Sequence, residues 1–426
     1  MERCKLKKSK ISLILILTIV ISLIFNILDK SEIAYAASNS QDTQISIYGK
    51  TALTIDMETG EIIYAKNIDS RVYPASTTKL MTAILLSESK KTGDILKYTE
   101  GSKRQPQSSI NLDVHPIDIG ETMSAKSAMD GMLLFSGNDM AYMIADNIGK
   151  GEADFINKMN DKAKSFNLKN THFVTPNGLH RSNHYTTTYE LSVIASKAFQ
   201  IPWVRETIAK KESTFKSSKG TSFTVKNTNK LLGKNGCIGG KTGYTSEAGR
   251  CLVAFYDRDG RKMMGIVMDS LYDPNDTFVF NDMEKIIDWS YSAKPTMLFN
   301  KNSNIDNKNL EYKPIEMLPF NIKLSVPLYV KDNITYYDNE VNKDELNIKF
   351  NISNMNFSSL TGKSPIGEIT VSQRNSIKNY KLYSSIQKSY LLKKCFPIYT
   401  GALVILVLII YTLYKIFMIS KRKTNL

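Results

Sequence analysis

The chain has 426 residues, of which 42% are hydrophobic and 23% are charged. This composition excludes a wholly disordered protein, and the length predicts two folded units rather than one. Lysine and arginine exceed aspartate and glutamate by 56 to 41, a balance that suits nucleic acid, an anionic membrane or an anionic cell wall. Four cysteines, none at Cys-x-x-Cys or Cys/His spacing, exclude a disulfide-built scaffold and argue against a metal site.

The N-terminus has the layout of a secretory signal. Residues 3–10 are mostly basic, residues 11–28 are almost continuously apolar, and Ala34-Tyr35-Ala36 supplies small residues at the two positions that signal peptidase reads. We therefore expect residues 1–36 to be a signal peptide that is cleaved after Ala36. An uncleaved N-terminal anchor is the alternative, because the apolar run is at the long end for a signal.

The strands and helices of the first unit follow from the spacing of apolar residues. Alternation predicts strands over Thr51–Met57, Glu61–Lys66, Cys237–Thr242, Cys251–Tyr256 and Lys262–Met268. Helical spacing predicts helices over Thr77–Ser89, Ser124–Phe135, Asp139–Ile148, Glu152–Phe166, Tyr189–Phe199 and Phe278–Tyr291. Because strands open and close this segment, we predict an α+β domain over residues 37–294, with an antiparallel sheet covered by helices and an all-helical insert as a subdomain.

The composition changes near Lys294. Short alternating runs separated by Asn, Asp and Gly turns predict a small all-β domain over residues 305–390, with no helix before the C-terminal tail. This domain has no clustered His, Cys or carboxylates, so we expect it to be a spacer.

The C-terminal tail reads as a membrane span. Residues 396–419 contain a single charge, Lys415, near one edge, and Lys421-Arg422-Lys423 follow. We predict a transmembrane helix over 396–419 and a cytoplasmic tail over 420–426, although Lys393 and Lys394 weaken the charge asymmetry. A buried core helix is the alternative. The chain between the two ends should then lie outside the cell, as a single-pass membrane protein.

Three short motifs carry candidate chemistry. Ser76-Thr77-Thr78-Lys79 sets a hydroxyl and an amine three residues apart at a helix start, which brings their Cβ atoms to about 5–6 Å. Ser136-Gly137-Asn138 lies in a break between two helical patterns. Gly240-Lys241-Thr242-Gly243 lies on a strand, where glycine admits a substrate backbone and Lys with Thr can hold a carboxylate. Each motif alone is common, as a helix cap, a turn or an exposed strand, but the ordered set is rare.

With these residues the chain resembles the low-molecular-mass penicillin-binding proteins, specifically the serine-type D-alanyl-D-alanine carboxypeptidases. The likeness runs from about Ile55 to Tyr291 and takes in the segments Tyr73–Ala83, Ser136–Asp139, Thr175–Leu179 and Gly240–Thr245. A β-rich domain followed by a C-terminal membrane attachment is also similar to that family.

The resemblance implies a role for each site residue. Ser76 would be the nucleophile, Lys79 its general base, and Ser136 with Asn138 the proton relay and substrate-amide contact. Residues of the third motif would bind substrate: Lys241 and Thr242 the terminal carboxylate, with Gly243 beside it and the backbone N–H of Tyr244 forming an oxyanion hole with that of Ser76. No cofactor or metal is implied.

One feature departs from the family. Relatives often carry an arginine before the closing helix that is thought to help bind the substrate carboxylate, whereas this chain has Asp273-Pro274-Asn275-Asp276. Carboxylate binding is therefore expected to be weaker or rearranged.

Other polar residues carry less information. The histidines His172, His180 and His184 are scattered, so we expect them to be structural or exposed. A disulfide between Cys237 and Cys251 is left open. The basic and aromatic residues do not interleave as nucleic-acid binding requires.

The resemblance predicts a membrane-anchored extracytoplasmic peptidase that removes the terminal D-Ala of peptidoglycan stem pentapeptides through a Ser76 acyl-enzyme. β-Lactam antibiotics such as penicillins would be its inhibitors. The alternatives are a Ser-x-x-Lys β-lactamase and a catalytically silent wall-binding or β-lactam-sensing module. The first is opposed by Ser-Gly-Asn in place of Ser-Asp-Asn, and by the absence of Glu between Phe155 and Tyr189. Endopeptidase side activity stays open.

Overall fold

The computed structural model describes residues 45–423, and the side chains of residues 45–420. The expected signal peptide, residues 1–36, and the end of the expected cytoplasmic tail lie outside the described residues.

Residues 45–294 form the first folded region. Its strands are β1 (Thr51–Asp56), β2 (Ile62–Lys66), β3 (Arg71–Val72), β4 (Ile95–Lys97), β5 (Thr122–Ser124), β6 (Thr186–Thr187), β7 (Glu212–Lys216), β8 (Ser222–Lys226), β9 (Cys237–Thr245), β10 (Gly249–Arg258) and β11 (Arg261–Ser270). Its helices are α1 (Lys79–Ser89), α2 (Glu100–Lys103), α3 (Ile110–Asp113), α4 (Ala125–Asp130), α5 (Asn138–Ile148), α6 (Glu152–Ser165), α7 (Thr188–Gln200), α8 (Pro202–Ile208) and α9 (Phe278–Ser292).

A five-stranded antiparallel sheet organises this region. Its strand order is β2-β1-β11-β10-β9, so β9 is an edge strand. Because side chains alternate along a strand, β10 sends Val253 and Phe255 to one core and Leu252 and Ala254 to the other. Helix α7 covers the first face, where Phe199 stacks on Phe255 at 4.2 Å, and helix α9 covers the second. The sheet is thus buried on both faces.

The segment between β2 and β9 is mostly helical, but the expectation of an all-helical insert is wrong. It contains three short antiparallel pairs, β3 with β6, β4 with β5, and β7 with β8. The first two pairs have strands of only two or three residues, too short for alternation to be read. The β7–β8 hairpin is longer, but its residues are mostly Thr, Ser and Lys. Only Phe215, Phe223 and Val225 are buried, so the apolar alternation is too sparse to recognise in the sequence.

Residues 295–384 form a second, β-rich region. Its elements are β12 (Thr296–Phe299), β13 (Asp306–Tyr312), β14 (Ile322–Val330), β15 (Ile334–Tyr336), α10 (Glu340–Glu345), β16 (Asn347–Ile352), α11 (Phe357–Leu360), β17 (Gly367–Ser372) and β18 (Ile377–Ser384). The main sheet has the order β13-β14-β18-β17-β16 and its own hydrophobic core. The expectation of no helix before the tail is wrong, since α10 and α11 intervene. Each is a single turn or little more, capped by an asparagine side chain, so neither has enough residues to show helical periodicity.

The chain continues as α12 (Lys388–Lys423), which includes the predicted span 396–419. Its segment Lys388–Ser420 is long and apolar enough to cross a membrane, and an 18-residue window within it has a mean hydropathy of 2.5. Its first turns pack into the β-rich core through Leu391 and Cys395. The predicted fold class is confirmed in its main parts: an α+β region with a sheet covered by helices, then a β-rich region and an apolar C-terminal helix.

Candidate active site

Ser76 lies at the start of a buried helix. Residues Ala75–Thr78 form a 3₁₀ turn that continues directly into α1, and Ala75 adopts a left-handed backbone conformation with φ 45°. Ser76 is partly exposed, whereas Lys79, one turn later, is fully buried. Ser76 is therefore accessible from the surface, and the Lys79 amine lies beneath it.

The Lys79 amine has three hydrogen-bond partners. Its Nζ lies 2.8 Å from Ser76 Oγ, 2.9 Å from Asn138 Oδ1 and 2.9 Å from the Asn177 carbonyl oxygen. Burial, and then the nearby Lys241, hold the pKa of Lys79 well below its ordinary value, while Asp139 acts in the opposite direction. The environment favours the neutral amine.

This arrangement suits proton abstraction. A neutral amine has two N–H groups and one lone pair. Asn138 Oδ1 and the Asn177 carbonyl can only accept, so they take the two N–H groups. The lone pair is left for the Ser76 hydroxyl, which can donate as well as accept. Ser76 and Lys79 thus form a nucleophile and base pair in geometry.

Ser136 and Asn138 enter the same cleft from a helix break. A π-helical turn over Gly131–Phe135 ends at Ser136, which has a left-handed conformation with φ 74°. Helix α5 begins at Asn138, whose Nδ2 donates to the Gln107 carbonyl at 2.9 Å. The break was predicted from sequence, and it lets the two side chains contact the two lysines instead of packing within a helix.

The Asp139 carboxylate stabilises this helix break through hydrogen bonds. Its buried carboxylate accepts backbone N–H groups of Ile110 and Asn111 at 3.0 Å and the Tyr98 hydroxyl at 3.1 Å. Desolvation raises the pKa of Asp139, and these hydrogen bonds oppose that rise. The side chain next to Asn138 is thus held by three donors from other elements.

Strand β9 contributes Lys241 and Thr242 to the site. Lys241 is almost fully buried, and its Nζ donates to Ser136 Oγ and to the Thr242 carbonyl, both at 2.9 Å. Burial, with a smaller effect of Arg250, lowers the pKa of Lys241 to about 7. The Thr242 hydroxyl lies 2.6 Å from that of Thr228.

The motif ends in Gly243, which packs closely against the turn that carries Ser76. A Cβ on Gly243 would lie 3.0 Å from the Ser76 backbone nitrogen and 3.1 Å from Ala75 Cβ, so a larger residue would push the nucleophile turn away. Tyr244 is exposed, with its ring 4.9 Å from that of Tyr272. The contacts thus gather six of the eight predicted site residues, and Thr242 and Tyr244 adjoin Gly243 on the same strand. Their individual roles remain predictions.

Sequence reasoning assigned no role to the segment 174–184, although its Thr175–Leu179 motif was noted. The Asn177 carbonyl is the third partner of Lys79, and a Cβ on Gly178, which has φ 83°, would lie only 1.9 Å from the Ala75 carbonyl oxygen. His184 is buried. Its Nδ1 accepts from the Val174 N–H at 3.0 Å, so Nε2 carries the proton and donates to Thr78 Oγ1 at 2.9 Å.

The environment of His184 keeps it uncharged, since burial lowers its pKa to about 3. The expectation that His184 is structural fits this position. The Pro-Asn-Gly turn was the available signal for a close approach, but a backbone carbonyl partner leaves no mark in side-chain identity.

The two carboxylates before α9 have their own partners. Asp276 forms ion pairs with Arg250 and with Lys230, the latter at 3.3 Å. Asp273 accepts backbone N–H groups of Thr277 and Phe278 at the start of α9. Neither carboxylate is therefore left to oppose Lys241. Arg250 lies on β10, and its guanidinium is 5.5 Å from the Tyr244 ring.

Cys237 and Cys251 do not form a disulfide. Cys237 and Cys251 are buried free thiols, and burial raises the pKa of Cys251 to about 12. Cys251 pairs with Gly243 across β10 and β9, so it lies behind the cleft as an inert core side chain.

Comparison with known proteins agrees with this geometry. A sequence profile described as D-alanyl-D-alanine carboxypeptidase, peptidase family S11, matches residues 36–271, more than half of the chain. The chain therefore belongs to the D-alanyl-D-alanine carboxypeptidase family, and the resemblance found in the sequence is confirmed.

Individual relatives cover much of the molecule. The D-alanyl-D-alanine carboxypeptidase DacF of Bacillus subtilis (strain 168) is 28% identical over 323 residues, which cover 75% of this chain and 82% of that protein. The D-alanyl-D-alanine carboxypeptidase of Streptomyces sp. (strain K15) is 32% identical over 247 residues, 55% of this chain and 84% of that protein. The Streptomyces K15 DD-transpeptidase crystal structure is 29% identical, with a TM-score of 0.54, and is covered completely by 59% of this chain.

Proposed function

We propose that this protein removes the terminal D-Ala from peptidoglycan stem pentapeptides through an acyl-enzyme on Ser76, and that penicillins acylate the same serine. The observation that carries the proposal is the buried Lys79 amine, held by two acceptors with its lone pair left for the Ser76 hydroxyl. Family membership supports the substrate class, and the cleft supports the chemistry.

The first half-reaction forms the ester. Lys79 takes the Ser76 proton as Oγ attacks the penultimate D-Ala carbonyl carbon. The developing oxyanion is bound by the backbone N–H groups of Ser76 and Tyr244, a pairing supported by the close packing of Gly243 against Ser76. Asn138 contacts the substrate amide while it orients Lys79.

Collapse of the tetrahedral intermediate breaks the C–N bond. The leaving D-Ala nitrogen takes a proton from the Ser136 hydroxyl, and the proton that Lys79 took from Ser76 replaces it on Ser136, so Lys79 is again a neutral base. The contact of Ser136 with Lys241 supports this relay, because a buried ammonium can donate to the Ser136 oxygen as it gives up its proton. Water then attacks the ester with Lys79 again as the base, and the shortened peptide leaves.

Recognition of the terminal carboxylate is assigned to Lys241 and Thr242 on the edge strand β9, next to Gly243. A penicillin has a carboxylate and a reactive amide in one ring system, so its leaving nitrogen stays attached after acylation. The acyl-enzyme then persists, which is the basis of inhibition.

For localisation we propose a single membrane span within α12, with residues 37–294 as the catalytic domain and residues 305–390 as the spacer, both extracytoplasmic. The apolar character of Lys388–Ser420 supports the span. Export by the signal peptide 1–36, with a mature N-terminus at Ala37, completes the topology.

The test is acylation by a fluorescent penicillin, with D-Ala release from a pentapeptide as the second readout. We expect mass spectrometry to find the adduct on Ser76, and Ser76→Ala to abolish both activities. Ser87→Ala is the matched control, because Ser87 lies on the same helix and its hydroxyl contacts only the Ala83 carbonyl. An adduct on another residue would overturn the assignment.

The fate of the acyl-enzyme separates the rival functions. Rapid turnover of penicillin would identify a β-lactamase, and absence of acylation in a folded protein would identify a silent binding module. One relative is a D-alanyl-D-alanine endopeptidase of Pseudomonas aeruginosa. Cross-linked peptide dimers therefore belong in the substrate panel, where we expect slower cleavage than for pentapeptide.

A further inference from the structure

The connection between β13 and β14 is apolar and exposed. Six of the nine residues 313–321 are apolar, and among the described large hydrophobic residues Met317 has the highest exposed fraction, 94%. Phe320 is 53% exposed. Connections at a protein surface in water are normally polar, and exposed apolar clusters mark contact surfaces.

The strand directions decide where this loop lies. The turn before β18 contacts the catalytic region, where Arg374 binds Asp69 and Asn375 accepts from the Tyr189 hydroxyl. Strand β18 runs from that turn toward α12, and β14 is antiparallel to it, so β14 begins at the end far from the catalytic region. The loop 313–321 therefore points the same way as the C-terminal helix.

Packing confirms that the loop and the helix are neighbours. Tyr312, the last residue of β13, lies in the same hydrophobic cluster as Leu391 and Cys395 of α12, with Tyr399 packed against it. Beyond Tyr399 the helix leaves the β-rich core and its apolar side chains are exposed. The loop thus emerges at the level where the proposed span would enter the membrane.

The charges around the loop fit a lipid headgroup layer. Lys313 begins the loop, Lys323 follows it, and both are exposed. Lys393 and Lys394 are exposed on the first turns of the helix. Glu316 is the one carboxylate within the loop. Basic residues around an apolar tip are the pattern of segments that lie in the membrane interface.

We propose that the 313–321 loop is a second membrane contact, which inserts Met317 and Phe320 into the outer leaflet beside the span. The occupant of this apolar surface is a phospholipid bilayer. The inference rests on the proposed span and is independent of the peptidase chemistry. With two contacts, the β-rich region would be fixed in its tilt, and the catalytic cleft in its height above the bilayer.

The test uses the full chain in single-chain nanodiscs made with brominated phosphatidylcholine, which quenches nearby tryptophan. Three variants carry one added tryptophan each: Phe320→Trp in the loop, Leu408→Trp in the span and Ile377→Trp at the catalytic end of β18, where Ile377 is 70% exposed. The signal of the two native tryptophans is subtracted with the unsubstituted chain, and normal penicillin labelling shows that each variant is folded.

We expect brominated lipid to quench Phe320→Trp and Leu408→Trp, and to leave Ile377→Trp unchanged. Quenching of Leu408→Trp without quenching of Phe320→Trp would overturn the loop contact while keeping the span. Absence of quenching in both would overturn the span and the loop together, without touching the peptidase assignment. A blue shift of the Phe320→Trp emission that occurs only in discs holding two chains would show that the loop contacts a second copy of the chain. It would reject the lipid contact.

Discussion

Lys79 and Lys241 both have a lowered pKa because they are buried, but their partners suit different charge states. Burial is the largest contribution to the lowered pKa of each. Lys79 contacts two acceptors that cannot donate and one hydroxyl, which suits a neutral base. Lys241 contacts a hydroxyl and a carbonyl and lies on an edge strand, which suits an ammonium that is completed by an incoming anion.

The first prediction concerns Lys241 and the substrate carboxylate. A charge-assisted hydrogen bond contributes about 1.5–3 kcal/mol, so Lys241→Gln should reduce kcat/KM on a free-acid peptide by roughly 10- to 150-fold. The loss should be much smaller on the C-terminal amide of the same peptide. Equal losses on acid and amide would show that Lys241 acts through Ser136 rather than on the carboxylate.

The second prediction is a pH dependence. Because the pKa of Lys241 is lowered to about 7, its amine loses its proton as the pH rises through 7, and recognition of a carboxylate weakens. We expect kcat/KM for the free-acid peptide to fall above about pH 7, since this ratio reports the free enzyme. The amide peptide and the Lys241→Gln variant should lack this fall; the same profile for the amide would refute the assignment.

At the scale of elements, the segment 174–184 fixes the start of helix α1. It contacts that helix through the Asn177 carbonyl at Lys79, through His184 at Thr78 and through the Pro176 carbonyl, which accepts from Thr82 Oγ1 at 2.6 Å. Such multiple contacts hold a nucleophile turn that contains a residue of positive φ.

The third prediction compares two glycines with similar backbones. Gly178 and Gly220 have φ of 83° and 82°, but a Cβ on Gly178 would overlap the Ala75 carbonyl, whereas a Cβ on Gly220 would meet open space. Gly220→Ala should cost about 1–2 kcal/mol for the left-handed backbone alone and leave acylation unchanged. Gly178→Ala should cost roughly 3 kcal/mol or more and slow acylation by penicillin.

Thermal unfolding and the acylation rate of both variants decide this comparison. If the two alanine variants behave alike, the close approach of the 174–184 segment to Ser76 is not needed for the site.

At the scale of the whole molecule, polar side chains join the catalytic and β-rich regions. Arg374 binds Asp69 of the first region and Glu345 of the second, and its guanidinium lies over the Tyr189 ring at 4.4 Å. Asn342 donates from its side chain to the Ile62 carbonyl of the edge strand β2 at 2.8 Å. Polar contacts of this kind, together with Val341 and Tyr337 packed against the hydrophobic clusters of the first region, set the relative orientation of the two regions.

The fourth prediction tests this junction. Arg374→Ala leaves two carboxylates without their guanidinium, so we expect a loss of about 1–3 kcal/mol and faster tryptic cleavage after Lys301, with penicillin labelling retained. Lys308→Ala is the control, because Lys308 pairs with Asp306 inside the β-rich region, at 2.6 Å. Unchanged cleavage in Arg374→Ala would mean that the remaining contacts alone hold the regions together.

Much of this protein was determined by local sequence. The main strands and long helices follow from apolar spacing, because a periodic pattern needs only neighbours along the chain. Ser76 and Lys79 were paired correctly for the same reason, since three residues on one helix start are adjacent. The short strands and single-turn helices escaped prediction because two to six residues hold too little of a period.

Only the tertiary structure decided what surrounds these motifs. The partners of Lys79 come from Asn138 and Asn177, 59 and 98 positions away, and one of them is a backbone carbonyl that any residue type could supply. The ion pair of Asp276 with Arg250 joins a loop to a strand, so the missing arginine could be noticed in the sequence but the partner of Asp276 could not. The position of the 313–321 loop beside α12 likewise depends on strand order, which apolar spacing along one strand does not encode. Contacts between distant segments arise when the chain packs, and for that reason the sequence indicated which residues lie at the site but not the contacts that support them.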